Sequence, residues 1–442
     1  MKTFKGGIHP PEMKDLSKEA KLERVELSKE LAVPVSQHIG APSKPIVKKG
    51  DAVLKGQVIA EANGYVSVPQ HAPTSGTVLK IEPRATALGK MCDHIIIEPD
   101  GNDKWAEGCN IKREWQDLSP DQIKSIVKDA GIVGMGGAGF PTHVKLSPPE
   151  DHPIDVLILN GVECEPYLTC DYRIMLERTK AITEGLKIIM KVLGVKKAYI
   201  GVESNKQDAF EAMRDSVWAD ENIEAQLLKV KYPQGAEKQL IDALTDREVP
   251  PGKLPLDVGV VVQNVGTALA VYEAVTKGIP LIERAVTVTG DAIGKPANLL
   301  VPIGTPIVDL LKRQDVDPKT KKLVLGGPMM GLAVPTPDLP VIKGTSGILA
   351  LKKVPNFMPG PCIRCGKCVA VCPLRGTAAE MVAAIEAGEV EKYQRLHVLD
   401  CVECGTCTFA CPSHISIVHY VKKAKAEYQA WKAEQDKKKE DN

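Results

Sequence analysis

Cys362-Ile-Arg-Cys365-Gly-Lys-Cys368-Val-Ala-Val-Cys372-Pro373 and Cys401-Val-Glu-Cys404-Gly-Thr-Cys407-Thr-Phe-Ala-Cys411-Pro412 are two copies of one pattern, C-x2-C-x2-C-x3-C-P. Three thiolates at this spacing can wrap one face of a [4Fe–4S] cubane, and the fourth cysteine of each run ligates the other cluster. The expected ligand sets are therefore Cys362, Cys365, Cys368 and Cys411 for cluster 1, and Cys372, Cys401, Cys404 and Cys407 for cluster 2. A pair of zinc sites would use C-x2-C…C-x2-C spacing and leave the extra Cys-Pro of each run without a purpose. The segment reads as a two-cluster ferredoxin, and the chain as one that moves single electrons.

Composition narrows the field further. The 442 residues allow about three or four domains. A net charge of +1 gives no basic excess for nucleic acid, and 4% aromatics leave few platforms for base stacking. Eight of the 12 cysteines fall in the two runs, which calls for a reducing compartment. The opening residues lead into proline and charge without the apolar core of a signal peptide. No apolar run reaches membrane-spanning length; the best, 256–275, is interrupted by Asp257, Gln263, Asn264 and Glu273. A soluble, cytoplasmic chain able to sit on a membrane partner is expected.

The texture changes along the chain. Residues 40–83 alternate short apolar strands with Gly-Asp and Lys-Gly turns. From about 117, apolar runs at 154–160, 198–202 and 258–262 alternate with helical stretches at 173–193 and 268–277, as in a βαβ layered domain. Strands return at 285–290 and 322–327 around a short helix at 306–313. A Pro/Gly linker at 354–361 leads to the cysteine runs, which flank a helix at 378–396 with Gly388 as its weak point. From Lys422 the sequence is Lys/Glu-rich and reads as a solvated helix that frays.

A second informative stretch is Gly134-Met-Gly136-Gly137-Ala-Gly139-Phe140-Pro-Thr-His-Val-Lys145. Clustered glycines let backbone amides approach a phosphate, and Lys145 adds a point charge. The loop resembles the flavin-binding loop of the NADH-binding flavoprotein subunit of respiratory complex I, GxGGAGFPTxxK. The next motif of that family, Asn-x-x-Glu-x-Glu-Pro, stands here as Asn160-Gly-Val-Glu163-Cys164-Glu165-Pro166. A third matches Tyr232 to Glu237 in part. The fourth, Asn-Asn-Val-Glu-Thr, stands as Gln263-Asn264-Val265-Gly266-Thr267. By this resemblance Gly134, Gly136, Gly137, Gly139, Lys145, Asn160, Glu163, Tyr232, Asn264 and Thr267 surround FMN. Phe140, Glu165 and Glu237 contact NAD(H), the ring by stacking and the carboxylates by accepting hydrogen bonds. Ala236, Gln263 and Gly266 depart from the family's Glu, Asn and Glu. Flavin N5 accepts a hydride and releases electrons singly, so no general acid or base is required. The four remaining cysteines lack metal spacing, and Cys164 reads as a buried thiol.

Residues 40–83 also resemble a biotinyl/lipoyl barrel sandwich, but 61–70, where carriers place their modified lysine, contains none. A structural or docking role is expected. The whole order resembles the RnfC family of the Rnf electron-transport complex, as does the opening Phe4-Lys5-Gly6-Gly7-Ile8-His9-Pro10. That resemblance implies a multidomain α/β and α+β chain. Its parts are a barrel-sandwich hybrid at 1–116, a Rossmann-like FMN/NAD domain at 117–280 and a β-grasp (SLBB-like) domain at 281–352. A helix-rich dicluster ferredoxin domain at 353–420 and a charged tail at 421–442 follow. It implies an NAD-dependent oxidoreductase subunit, peripheral on the cytoplasmic face of a bacterial or archaeal membrane, working with integral-membrane and ferredoxin-like subunits that translocate cations. A cobalamin reductase shares these modules but carries its barrel sandwich toward the other end of the chain. A relay subunit without nucleotide binding is opposed by the intact glycine loop.

Overall fold

The computed structural model describes residues 1–440. The central domain rests on a four-stranded parallel sheet in the order Ile223–Leu228, Lys197–Glu203, Val156–Asn160, Val260–Asn264. Val156 to Leu159 are all apolar because both faces of this inner strand are covered. Leu157 and Leu159 join the core with residues of the helices Thr179–Leu193 and Val265–Lys277. Val156 and Ile158 pack on the opposite side with Leu240, Ile241 and Leu244 of Glu237–Thr245. The sheet grows from Val156–Asn160 through two strands in one direction, then adds Val260–Asn264 on the other side. Such a reversal opens a crevice beyond the carboxyl ends of the two neighbouring strands, where ligands of these sheets bind. Asn160 and Asn264 are register partners at that end.

The helix expected over 173–193 is two helices, Cys170–Glu177 and Thr179–Leu193, bent at Arg178 (φ −131°). The Thr179 hydroxyl donates to the Met175 carbonyl at 2.5 Å, a back-bond of the kind that bends helices.

The barrel sandwich pairs a four-stranded antiparallel sheet (Leu31–Pro34, Met91–Pro99, Gly76–Ala85, Ala52–Val53) with a three-stranded one (Lys44–Pro45, Val58–Glu61, Gln70–His71). The hairpin tip at 61–70 is seated on the central domain. His143 Nε2 donates to the Tyr65 carbonyl at 3.0 Å, and the two rings meet edge-on at 6.0 Å.

The β-grasp-like part is a mixed six-stranded sheet, in the order Leu22–Arg24, Ala297–Pro302, Glu283–Thr289, Gly347–Leu351, Lys322–Leu325, Leu332–Val334, with Ile307–Arg313 packed on it. Leu22–Arg24 thus lies outside the barrel sandwich that the chain order suggests for it. It pairs in parallel with Asn298 to Leu300, and Val25 beyond it is buried in that sheet's core. The ferredoxin part is helical: Ala378–Glu386 packs Met381, Ala384 and Ile385 against Val421, Ala424 and Tyr428 of Ile417–Glu440. The expected helix over 378–396 breaks at Gly388 and resumes as Lys392–Arg395.

Candidate functional site

Residues from all four flavin-like motifs converge at the crevice. Gly136 has φ +73°, and a Cβ there would lie 2.9 Å from the Asn264 amide nitrogen, so glycine alone fits without strain. Gly137 is exposed, with open space where a Cβ would point. The loop is closed by a hydrogen bond from Gly134 N to the Phe140 carbonyl (2.7 Å) and held by one from Met135 N to Thr267 Oγ1 (2.9 Å). Gly139 is buried against the barrel sandwich, its carbonyl accepting from Ile39 N at 3.3 Å. Lys145 Nζ pairs with Glu237 Oε1 at 2.6 Å. Asn160 donates to the Gly235 carbonyl and accepts from Val162 N. Asn264 caps its own helix by accepting from Gly266 N and donates to Asp171 Oδ2. Phe140 remains 36% exposed.

The two glutamates of the Asn160–Pro166 motif are engaged by the backbone. Glu163 accepts from Asp171 N and Tyr172 N at the start of Cys170–Glu177. Glu165 accepts from Met329 N and Met330 N, and burial pushes its carboxyl up. Tyr232 directs its hydroxyl toward the ferredoxin domain, donating to the Cys404 carbonyl at 2.8 Å. Cys164 is a half-buried thiol that accepts from Gly235 N, and desolvation holds its pKa above the usual range.

Three charged residues that sequence reading passed over complete this site. Lys14 Nζ, from a segment 149 residues earlier than Glu163, donates to the carbonyls of Glu163 (2.9 Å), Glu165 (3.0 Å) and Leu168 (2.5 Å). Asp171 is held by Asn264; burial, with Glu163 beside it, pushes its carboxyl up to about 6. Arg284 is buried behind the loop, with Met135 Sδ against its guanidinium. No local signal marks these residues, because each acts through partners far away in sequence.

The cysteines form two groups around two cavities. Cys372, Cys401, Cys404 and Cys407 line a cavity of about 500 Å³, together with Lys5 and with Lys238, Gln239, Asp242, Glu248 and Val249 of the central domain. Cys362, Cys365, Cys368 and Cys411 line one of about 450 Å³ whose other walls come from the ferredoxin part alone. Cys362 and Cys365 are exposed, whereas Cys404 is buried.

Three family models match the chain: the RnfC barrel sandwich hybrid domain over residues 2–102, the Nuo51 FMN-binding domain over 127–273 and a 4Fe-4S dicluster domain over 361–415. The C component of the proton-translocating ferredoxin:NAD(+) oxidoreductase complex of Clostridium ljungdahlii is 47% identical, over 97% of this chain and 95% of that one. The chain belongs to the RnfC family. The Na(+)-translocating counterpart of Acetobacterium woodii is 48% identical over 84% of this chain and 85% of its own. The C component of the ion-translocating oxidoreductase complex of Rhodobacter capsulatus is 45% identical over 88% and 76%.

RnfC-type chains thus join an FMN domain to a dicluster ferredoxin, and the residues here suit both groups. Each cavity is lined by four cysteine sulfurs, the donor set that holds a [4Fe–4S] cluster. In the flavin motifs, the side-chain amide nitrogens of Gln234 and Gln263 are buried without a protein partner, which leaves donors for an incoming acceptor. Where this RnfC-family chain has Gly266 in place of the complex I glutamate, a Cβ would stand 3.5 Å from the Arg284 guanidinium. The Asp171 carboxylate is a charge close enough to act on that guanidinium. Among the described residues no helix is long and apolar enough to cross a membrane.

Proposed function

We propose that this chain is the NAD-reactive, peripheral subunit of an Rnf-type complex on the cytoplasmic face of the membrane. In this reading it exchanges a hydride with NAD(H) at FMN and passes electrons singly through two [4Fe–4S] clusters, while integral-membrane and ferredoxin-like subunits couple that flow to cation translocation. The observation that carries the reading is the convergence of Gly136, Gly137, Lys145, Asn160 and Asn264 at the switch point of the parallel sheet, in a chain that also gathers two cysteine quartets.

The flavin, when bound, supplies the conversion of two-electron into one-electron chemistry. The chain supplies the alignment. The open backbone at Gly136 and Gly137 admits the phosphate, and Lys145 provides charge once it is drawn from Glu237. The half-exposed ring of Phe140 offers a stacking face for the nucleotide, and Glu237 then accepts its hydroxyl groups. Glu163 acts by capping the Cys170 helix so that Asp171 and Asn264 keep their places. The cysteine quartets are the proposed cluster ligands, grouped as the two cavities group them.

Anaerobic titration of the reconstituted chain with NADH tests the proposal, read by flavin absorbance and electron paramagnetic resonance. Bleaching of the flavin is expected. Flavin that stays oxidised under NADH while dithionite reduces it would make the chain a one-electron relay.

A further inference from the structure

The opening motif Phe4-Lys5-Gly6-Gly7-Ile8-His9-Pro10 has no part in the chemistry above, yet it is held on two sides. On one side it is stitched to the central domain. Lys2 bridges Leu228, and Ile8 and Tyr232 exchange both backbone hydrogen bonds at 2.9 Å. Thr3 Oγ1 donates to Gln234 Oε1 at 2.8 Å, and Lys231 donates to the Phe4 carbonyl while lying over its ring at 4.5 Å. On the other side it grips the cysteine loop: Gly7 N donates to the Val371 carbonyl at 2.8 Å, and Gly6 lies against Cys372. Gly6 (φ +78°) and Gly7 (φ +80°) are in the left-handed region, and a Cβ on either would come within 2.7 Å of a backbone oxygen, that of Cys372 or Tyr232. Ile8 is buried in one apolar cluster with Tyr232 and Cys404, against which Met329 and Val371 pack.

The segment thus meets the ferredoxin part at Val371, Cys372 and Cys404, beside the cysteine cavity that central-domain residues wall, and none of these three lines the other cavity. The connection at 354–361 is without secondary structure and mostly exposed, so the covalent tether does not by itself fix the ferredoxin domain. We propose that residues 3–10 form a strap that locks the Cys372, Cys401, Cys404, Cys407 site against the flavin domain and makes it the site facing the flavin. The Cys362, Cys365, Cys368, Cys411 site then faces outward to the next carrier. The directional part rests on the flavin reading above; the lock does not. The electrons balance simply: one electron leaves the reduced flavin and one oxidised cluster is reduced by one, twice per hydride, with no bond formed to the protein.

The test is the Gly6→Ala/Gly7→Ala double variant of the full chain, with Gly89→Ala as control. Gly89 has φ +75° but open space around it, so its variant carries the backbone strain without the clash. Limited proteolysis at 354–361 reads the lock, and rapid-mixing reduction of the clusters by NADH reads the wiring. Cluster content is checked by the dithionite-reduced spin count. The double variant is expected to be cut about tenfold faster and to reduce its clusters about tenfold more slowly, with flavin bleaching unchanged. Phe4→Ala, which loosens the strap without touching the cysteine loop, is expected to do the same in weaker form and covers the case in which the double variant drops a cluster. Cleavage and cluster reduction at wild-type rates in both variants would overturn the strap. Wild-type flavin that NADH does not bleach would overturn the flavin reading instead, and the proteolysis result would still decide the lock.

Discussion

Replacing Lys14 by methionine probes the least visible support of the crevice proposed for the flavin. Methionine keeps the apolar stem and removes the ammonium group. Three carbonyls, the buried one of Leu168 and the part-buried ones of Glu163 and Glu165, then lose their donor, and the Glu163 carboxylate loses the cation 4.0 Å away. At about 1 kcal/mol net per hydrogen bond the loss is about 3 kcal/mol. Breaking a buried charge pair raises such losses, and relief of the buried ammonium offsets part of it; burial already holds the Lys14 pKa down. A cost of about 3 kcal/mol falls on the 163–168 turn, which must be formed for the crevice to exist. If flavin binding pays that cost, FMN affinity falls by roughly two orders of magnitude. The assay is fluorescence titration of the flavin-free chain with FMN, with iron and sulfide measured in parallel. Weakening by less than about threefold, with an unchanged unfolding midpoint, would refute the reasoning, because the three hydrogen bonds would then carry no net free energy.

Other outcomes follow from the same geometry. Lys145→Ala is expected to weaken flavin retention and leave iron content unchanged; stoichiometric flavin in the purified variant would remove Lys145 from the site. Cys411→Ser is expected to disturb the same cluster as Cys368→Ser, and Cys372→Ser the same cluster as Cys404→Ser, each judged by spin count and line shape. Any other pairing would contradict the crossed ligand sets. Lys343 is buried, donates to the carbonyls of Pro69 and Gly131, and is held by burial down to about 7. A neutral amine has two hydrogens for these two acceptors. Between about pH 7 and 10.5 the unfolded lysine binds a proton that the folded one does not, so stability rises with pH by up to about 1.4 kcal/mol per unit. Lys343→Met is expected to flatten that slope in denaturant midpoints taken between about pH 7 and 9; identical slopes would show that Lys343 stays charged.

What the sequence made legible is what is local in it. The cysteine spacing spans a dozen residues per run, and the glycine loop another dozen, so each could be read without knowing the fold. The apolar run at 154–160 announced a strand buried on both faces for the same reason. The strands Met91–Pro99 and Ile223–Leu228 went unread: the first carries an Ile95-Ile96-Ile97 run without alternation, and the second is an edge strand of mixed polarity. The bend at Arg178 goes with one hydroxyl of the second helix turning back on a carbonyl of the first, while the break at Gly388 was foreseeable from glycine itself. Lys14, Asp171 and Arg284 were out of reach because a buried charge is defined by partners that only the fold supplies. The grouping of the cavities shows the same limit: spacing proposes which sulfurs share a metal, but not which group lies against the flavin domain.

The parallel pairing of Leu22–Arg24 with Asn298 to Leu300 also bears on synthesis. As the chain leaves the ribosome, the strands between residues 31 and 99 find their sheet partners within the same stretch. The segment before them cannot, because it pairs with Leu228, Tyr232, Leu300 and Val371, made hundreds of residues later. It must wait unpaired while the parallel sheet closes and meet its last partner only when the first cysteine run appears. Closure of the longest loops in the molecule is therefore among the last folding events.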